Sequence, residues 1–112
     1  MVIGNNVRFI HNSVGTVVYT DTVIEDDVRI YQNVTLGKSD VLSENASANF
    51  IIRKGAILCA GAKLLCKPNE TLEVGENSIV AANAVLLHSI PENEVCGVGV
   101  PAKKLKDISQ LN

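Results

Sequence analysis

Aliphatic residues return every six positions along this chain, a spacing that suits neither an α-helix, with its 3.6-residue period, nor a strand, with its period of two. The repeat opens at Ile3 (IGNNVR), Phe9 (FIHNSV), Val18 (VYTDTV), Ile24 (IEDDVR) and Ile30 (IYQNVT). It resumes at Ile52 (IRKGAI), Leu58 (LCAGAK), Val74 (VGENSI), Val80 (VAANAV) and Leu86 (LLHSIP). The fifth places hold Val7, Ser13, Thr22, Val28, Val34, Ala56, Ala62, Ser78, Ala84 and Ile90. A period of six describes a solenoid with flat faces and tight corners. The first residue of each unit points inward and the fifth fits where the corner narrows. Asn, Asp and Gly fill the third and fourth places (Asn5, Asn6, Asp26, Asp27, Gly61, Asn83), where corners accept left-handed backbone. A β-sandwich is the competing reading, but it needs hairpin signals such as Asn-Gly or Asp-Gly, and the sequence has none.

The repeat is interrupted three times: at Gly15-Thr16-Val17, over residues 37–51, and near Lys67-Pro68-Asn69-Glu70, where a proline marks a protruding turn. First positions then fall at 3, 9 and 18; 24, 30 and 36; 52, 58 and 64; 74, 80 and 86. Three units per coil make four coils, a stack roughly 20 Å tall at the usual spacing of parallel strands. Thin coils account for the composition, 46% apolar but only 4% aromatic. Phe9 takes the one inward ring position, Tyr19 and Tyr31 stand at outward second positions, and Phe50 is assigned to the long loop 37–51. A solenoid needs its open ends covered. The tail 101–112 is predicted to form a short amphipathic helix, with Leu105, Ile108 and Leu111 on one side, over the C-terminal end. The first coil begins almost at Met1 with no such cover. The 112 residues are expected to form a single domain.

Charged residues make up 20% of the chain and the net charge is −2, which argues against nucleic acid as a partner. No apolar run approaches the roughly 18 residues of a membrane span, and no leader pattern follows Met1. Cys59, Cys66 and Cys96 are odd in number and lack zinc-type spacing, so they read as reduced thiols in a cytoplasmic protein.

Residues 3–37, with a histidine, small residues and a glycine ahead of VIEDDV and QNVTLG, resemble the hexapeptide-repeat acyltransferases, and most closely the catalytic domain of serine acetyltransferase. Residues 52–65, 77–85 and the ending IPENEVCGVGVPAK (90–103) carry the resemblance through most of the chain. It implies an all-β, left-handed parallel β-helix, acetyl-CoA as co-substrate and a homotrimer with active sites between subunits. It also implies an O-acetyltransferase acting on a hydroxyl of serine or of a sugar, and no metal. Where that family has an acidic residue just before its catalytic histidine, this chain has Ile10, and where it has an Arg-His pair in the long loop, Ala48 and Asn49 stand. The family's upstream carboxylate has no counterpart among the ten residues before His11.

Hydroxyl attack on a thioester needs a base, and imidazole, with its ordinary pKa near 6.5, suits that work. By itself His11 is either such a base or a corner histidine bonded to its own loop; the resemblance implies the base. Glu44 in the long loop is the candidate carboxylate to orient it. Third positions place His11, Gln32, Ala60 and Ala82 in one column, with Asn12, Asn33, Gly61 and Asn83 beside them. Ala60, Gly61 and Ala82 read either as corner packing or, as the resemblance implies, as the wall along which coenzyme A lies. Lys103 belongs to a basic tail that either is simply solvated or meets the coenzyme's phosphates. His88 is expected on the surface of another face. Two further readings remain: a non-catalytic hexapeptide module for assembly or binding, and a zinc hydratase of the γ-carbonic-anhydrase kind. The latter needs three histidine ligands, and the chain has two histidines.

Overall fold

Alternation inside each six-residue unit makes short strands, and left-handed residues at the corners turn the chain by a third of a circle. In the computed structural model, which describes residues 1–40, 42, 46–97 and 101–111, these turns close into a parallel β-helix. The first coil carries β1 (Val2–Ile3), β2 (Arg8–Phe9) and β3 (Val17–Val18). The second carries β4 (Thr22–Ile24), β5 (Arg29–Ile30) and β6 (Thr35–Lys38), and the third β7 (Asn49–Ile52), β8 (Ile57–Leu58) and β9 (Lys63–Cys66). The fourth carries β10 (Thr71–Val74), β11 (Ile79–Val80) and β12 (Val85–Leu86). A bridge from Val74 to Ile90 starts a fifth turn, followed by β13 (Glu94–Gly97) and β14 (Lys103–Asp107). The first face stacks β1-β4-β7-β10, the second β2-β5-β8-β11-β13-β14, and the third β3-β6-β9-β12.

Register follows the aliphatic period in every coil. Ile3, Ile24, Ile52, Val74 and Ile90 pair up the first face, and Phe9, Ile30, Leu58, Val80 and Cys96 up the second. Val18, Leu36, Leu64 and Leu86 pair up the third. These columns, with Val28, Val34, Ala56, Ala62, Ser78 and Ala84 at the narrowed fifth places, are sealed from solvent in the second to fourth coils. Ser78 is the polar member, and it is satisfied: its Oγ donates to Pro91 O at 2.6 Å and accepts from Glu94 N at 3.0 Å. Corners are left-handed at the fourth places, at Asn6, Asp27, Gly55, Asn77 and Asn93 on one edge and Asn33, Gly61 and Asn83 on another, whereas the third-place residues Asn5 and Asp26 are not.

Three expectations change. Phe50 does not lie in a loop: it is the second residue of β7, fully buried, between Thr22 below and Leu72 above. The small Thr22 leaves room for the ring, which meets Tyr19 at 6.3 Å between centroids. The long insertion correspondingly lies between β6, which runs to Lys38, and β7, which starts at Asn49. Phe9 points inward but stays 43% exposed, because no coil of the described residues lies beneath the first. The tail is not an amphipathic helix. Residues 103–107 form β14, antiparallel to β13, and only Ile108–Gln110 make a 3₁₀ turn. The open edge of β13 offers unpaired backbone groups that a strand can satisfy and a helix cannot. Three lysines in β14 then keep its own outer edge charged. Among the described residues no helix is long and apolar enough to cross a membrane.

Candidate active site

The corner between the second and third faces is built differently in the first coil. From Phe9 to Val17 the chain takes three residues more than from Ile30 to Thr35, although both ends are paired in register. The surplus bulges outward as a turn over Ile10–Ser13, with His11, Asn12 and Ser13 successively left-handed at φ 55, 57 and 47°. The expected placement of the extra residues at 15–17 is thus corrected: Gly15, Thr16 and Val17 are regular, and the extra residues precede them. The column is corrected with it. Asn33 N donates to Val14 O at 2.9 Å, as Gly61 N does to Gln32 O and Asn83 N to Ala60 O. Val14, not His11, therefore lies under Gln32, and Gly15 lies under Asn33. Gly15 is left-handed at φ 77°, and a Cβ there would push the end of the Asn33 side chain aside.

Two hydroxyls brace the bulge. Ser13 Oγ donates to Ile30 O at 2.8 Å. Thr16 Oγ1 donates to Tyr31 O at 2.9 Å and accepts from Val34 N at 3.2 Å. Thr16, rather than Ser13, fills the narrow place beneath Val34. Held this way, His11 is exposed to solvent, and its ring stands edge-on to Tyr31 with centroids 6.1 Å apart. No carboxylate among the described residues hydrogen-bonds the ring. Glu44 lies outside the described residues. Its loop leaves a different corner, between the third face (Lys38) and the first (Asn49). Of the two positions matching the family's Arg-His pair, Ala48 is buried and Asn49 is exposed.

Ala60 and Gly61 in the third coil and Ala82 in the fourth stand above the bulge on its own corner. Ala60 and Gly61 are partly exposed and Ala82 is exposed. Their small side chains leave the backbone open, and the N–H groups of Ala60 and Ala82 have no acceptor among the described residues. The Gln32 Oε1, on the same corner, is enclosed and has no partner among the described residues. Lys103 is exposed at the start of β14, paired with Gly97 at the top of the second face. The structure thus places His11, Ala60, Gly61 and Ala82 along one edge, with Lys103 beyond its upper end. Cys59, next to Ala60, is half-buried, and burial pushes its thiol up from the ordinary cysteine value, which disfavours a nucleophilic thiolate. The exposed residue His88 lies just past β12 on the third face.

Gly61 has φ 75°, and a Cβ there would meet the side chain of Asn83. Gly61→Val puts a β-branched residue into left-handed backbone, which costs about 1–3 kcal/mol. Thermal unfolding should move down accordingly, whereas Gly61→Asn should cost less, because Asn33 and Asn83 already hold that conformation one coil below and one above. Equal midpoints for the two variants would show that the corner is not under this constraint.

The coils recur in known proteins. Serine acetyltransferase of Haemophilus influenzae is 39% identical over 101 residues, 90% of this chain and 35% of that protein. The serine acetyltransferase of Buchnera aphidicola from Acyrthosiphon pisum is 38% identical over 109 residues, 96% of this chain and 36% of that protein. The crystal structure of Brucella abortus serine acetyltransferase in complex with coenzyme A superposes with a TM-score of 0.79 at 35% identity, over 95% of this chain and 39% of that one. The chain is a serine acetyltransferase-like, left-handed hexapeptide β-helix. It spans just over a third of the length of these serine acetyltransferases. No protein-family profile matches it.

Proposed function

We propose that this serine acetyltransferase-like region moves an acetyl group from acetyl-CoA to a hydroxyl acceptor, with His11 as general base. The observation that carries the reading is the single edge on which a braced, exposed histidine stands below a wall of small residues. The solved Brucella relative is a complex with coenzyme A. An arm rich in amides fits an edge whose Ala60 and Ala82 N–H groups lack acceptors, with Ala60, Gly61 and Ala82 presenting no side chain to obstruct it.

In the step itself, the acceptor hydroxyl attacks the thioester carbonyl while His11 takes its proton. The C–O bond forms, the tetrahedral intermediate collapses with loss of the C–S bond, and the imidazolium returns the proton to the departing thiolate. A backbone N–H directed at the developing oxyanion would supply about 3 kcal/mol. The acceptor is a serine or a sugar hydroxyl. The His11 bulge and the loop after Lys38 leave different corners of one chain, so the reading includes a homotrimer, in which one copy's loop, Glu44 included, reaches the neighbouring copy's His11. Lys103 is assigned to the coenzyme's phosphates.

Release of free thiol from acetyl-CoA, measured against a panel of serine and sugar acceptors, tests this. Acceptor-dependent release supports it. Binding of coenzyme A by calorimetry without release for any acceptor would leave a binding module, and absence of both would remove the coenzyme from the reading.

A further inference from the structure

The second face leads into the His11 bulge, and its two lowest outward positions are both arginine. Arg8 and Arg29 are exposed and paired in register on β2 and β5, with Phe9 and Ile30 turned inward beside them. Adjacent parallel strands put them about 4.8 Å apart, and like charges directly opposite destabilise a strand pair. Other cations are relieved by acids: Arg53 sits between Glu25 at 2.8 Å and Glu73 at 3.1 Å, and Lys104 lies 2.9 Å from Asp107. Neither the Arg8 nor the Arg29 guanidinium has a hydrogen bond or ion pair among the described residues. The acids of the preceding corner are engaged otherwise, Asp26 by the Asn5 N–H and Asp27 by the Asn6 amide, each at 2.7 Å.

Alternation along the second coil places Tyr31 on the same outward side as Arg29, about 7 Å further on. The His11 ring rests edge-on against Tyr31. Arg29, Tyr31 and His11 therefore form one outward row, with Arg8 beside its first member. Guanidinium pairs recognise carboxylates and phosphates through forked, charge-assisted hydrogen bonds.

We infer that Arg8 and Arg29 hold an anionic group, carboxylate or phosphate ester, on the acyl acceptor, so that its hydroxyl lies across Tyr31 toward His11. This rests on the acyl-transfer reading and narrows it: a neutral sugar lacks the group that the arginines take.

Two experiments test it on the intact chain. In the first, inorganic phosphate and acetate are titrated separately while the arginine Nε–H signals are followed by NMR. A saturable shift of both Arg8 and Arg29, lost in Arg8→Gln, is expected; tighter phosphate binding assigns a phosphate ester and tighter acetate binding a carboxylate. Absence of saturation with either anion up to about 100 mM, far above a millimolar dissociation constant, overturns the inference whatever the chain does with acetyl-CoA. In the second, Arg8→Gln and Arg29→Gln should each raise KM for an anionic acceptor about ten-fold or more, and leave KM for acetyl-CoA unchanged. An equal rise with a matched uncharged acceptor, a rise in KM for acetyl-CoA, or a changed oligomeric state would each overturn it. Anion binding with no thiol release for any acceptor sinks the acyl-transfer reading and the acceptor role with it, leaving a bare anion site.

Discussion

Replacing His11 with asparagine should lower kcat for acetyl transfer by a factor of about 10² to 10⁴, the usual loss when a positioned acid–base group is removed. At 1.36 kcal/mol per factor of ten, that is about 3–5 kcal/mol of transition-state stabilisation. Asparagine is the instructive replacement because residue 11 sits at φ 55°. Left-handed backbone costs most side chains about 1–2 kcal/mol, and asparagine tolerates it best after glycine. His11→Ala therefore mixes a backbone penalty with loss of the base, and His11→Asn keeps the two apart. The turn should survive, since Ser13 and Thr16 anchor it through their own hydroxyls and the ring contributes only its edge contact with Tyr31. KM for acetyl-CoA should hardly move, because Ala60, Gly61 and Ala82 lie two and three coils above. An unchanged unfolding midpoint with a hundred-fold slower turnover, partly restored by added imidazole, is the expected pattern. Turnover within ten-fold of the parent chain would remove His11 from the mechanism.

The inward columns are legible in the sequence because each face offers one aliphatic position per coil, and a six-residue period has only one way to stack. Residues 3, 24, 52 and 74 fall into register for that reason. Insertions are harder to place. Three surplus residues between Phe9 and Val17 fit equally well as HNS pushed outward or as GTV pushed outward, because both stretches are small and polar. The backbone ladder decides: Thr16 can satisfy both Tyr31 O and Val34 N only when it lies beneath Val34. The histidine itself was legible, but its separation from the Ala60–Ala82 column was not. The tail misled for a related reason. Its apolar spacing suits a helix read alone, and the deciding influence is the open edge of β13, some ten residues away in sequence, which nothing local reports. Arg8 and Arg29 look like ordinary surface charge until strand pairing sets them side by side.

Phe50 gives the largest expected effect on stability. Its ring is fully enclosed between Thr22 and Leu72 and meets Tyr19 from the neighbouring corner. Truncating a buried phenylalanine to alanine typically costs about 3–5 kcal/mol, part of it for the cavity that the surroundings cannot fill. Here collapse relieves little of it, because the backbone around the ring is fixed by ladders to the coils on either side. A domain of this size has about 5–15 kcal/mol in total, and each kcal/mol moves the midpoint by about 4–8 °C, so Phe50→Ala should unfold at least about 12 °C earlier. The comparison with Phe9 makes the test specific. Phe9 also stands at an inward position and carries the same side chain, but with 43% of it exposed it buries far less area from water. Phe9→Ala should cost about 1 kcal/mol. In a solenoid each coil is stabilised by its immediate neighbours, so a defect in the third coil weakens the contacts on both of its sides, whereas one in the first touches a single interface. Comparable midpoints for the two variants would mean that the ring of Phe50 is not packed inside the third coil, and the register of β7 against β4 and β10 would have to be redrawn.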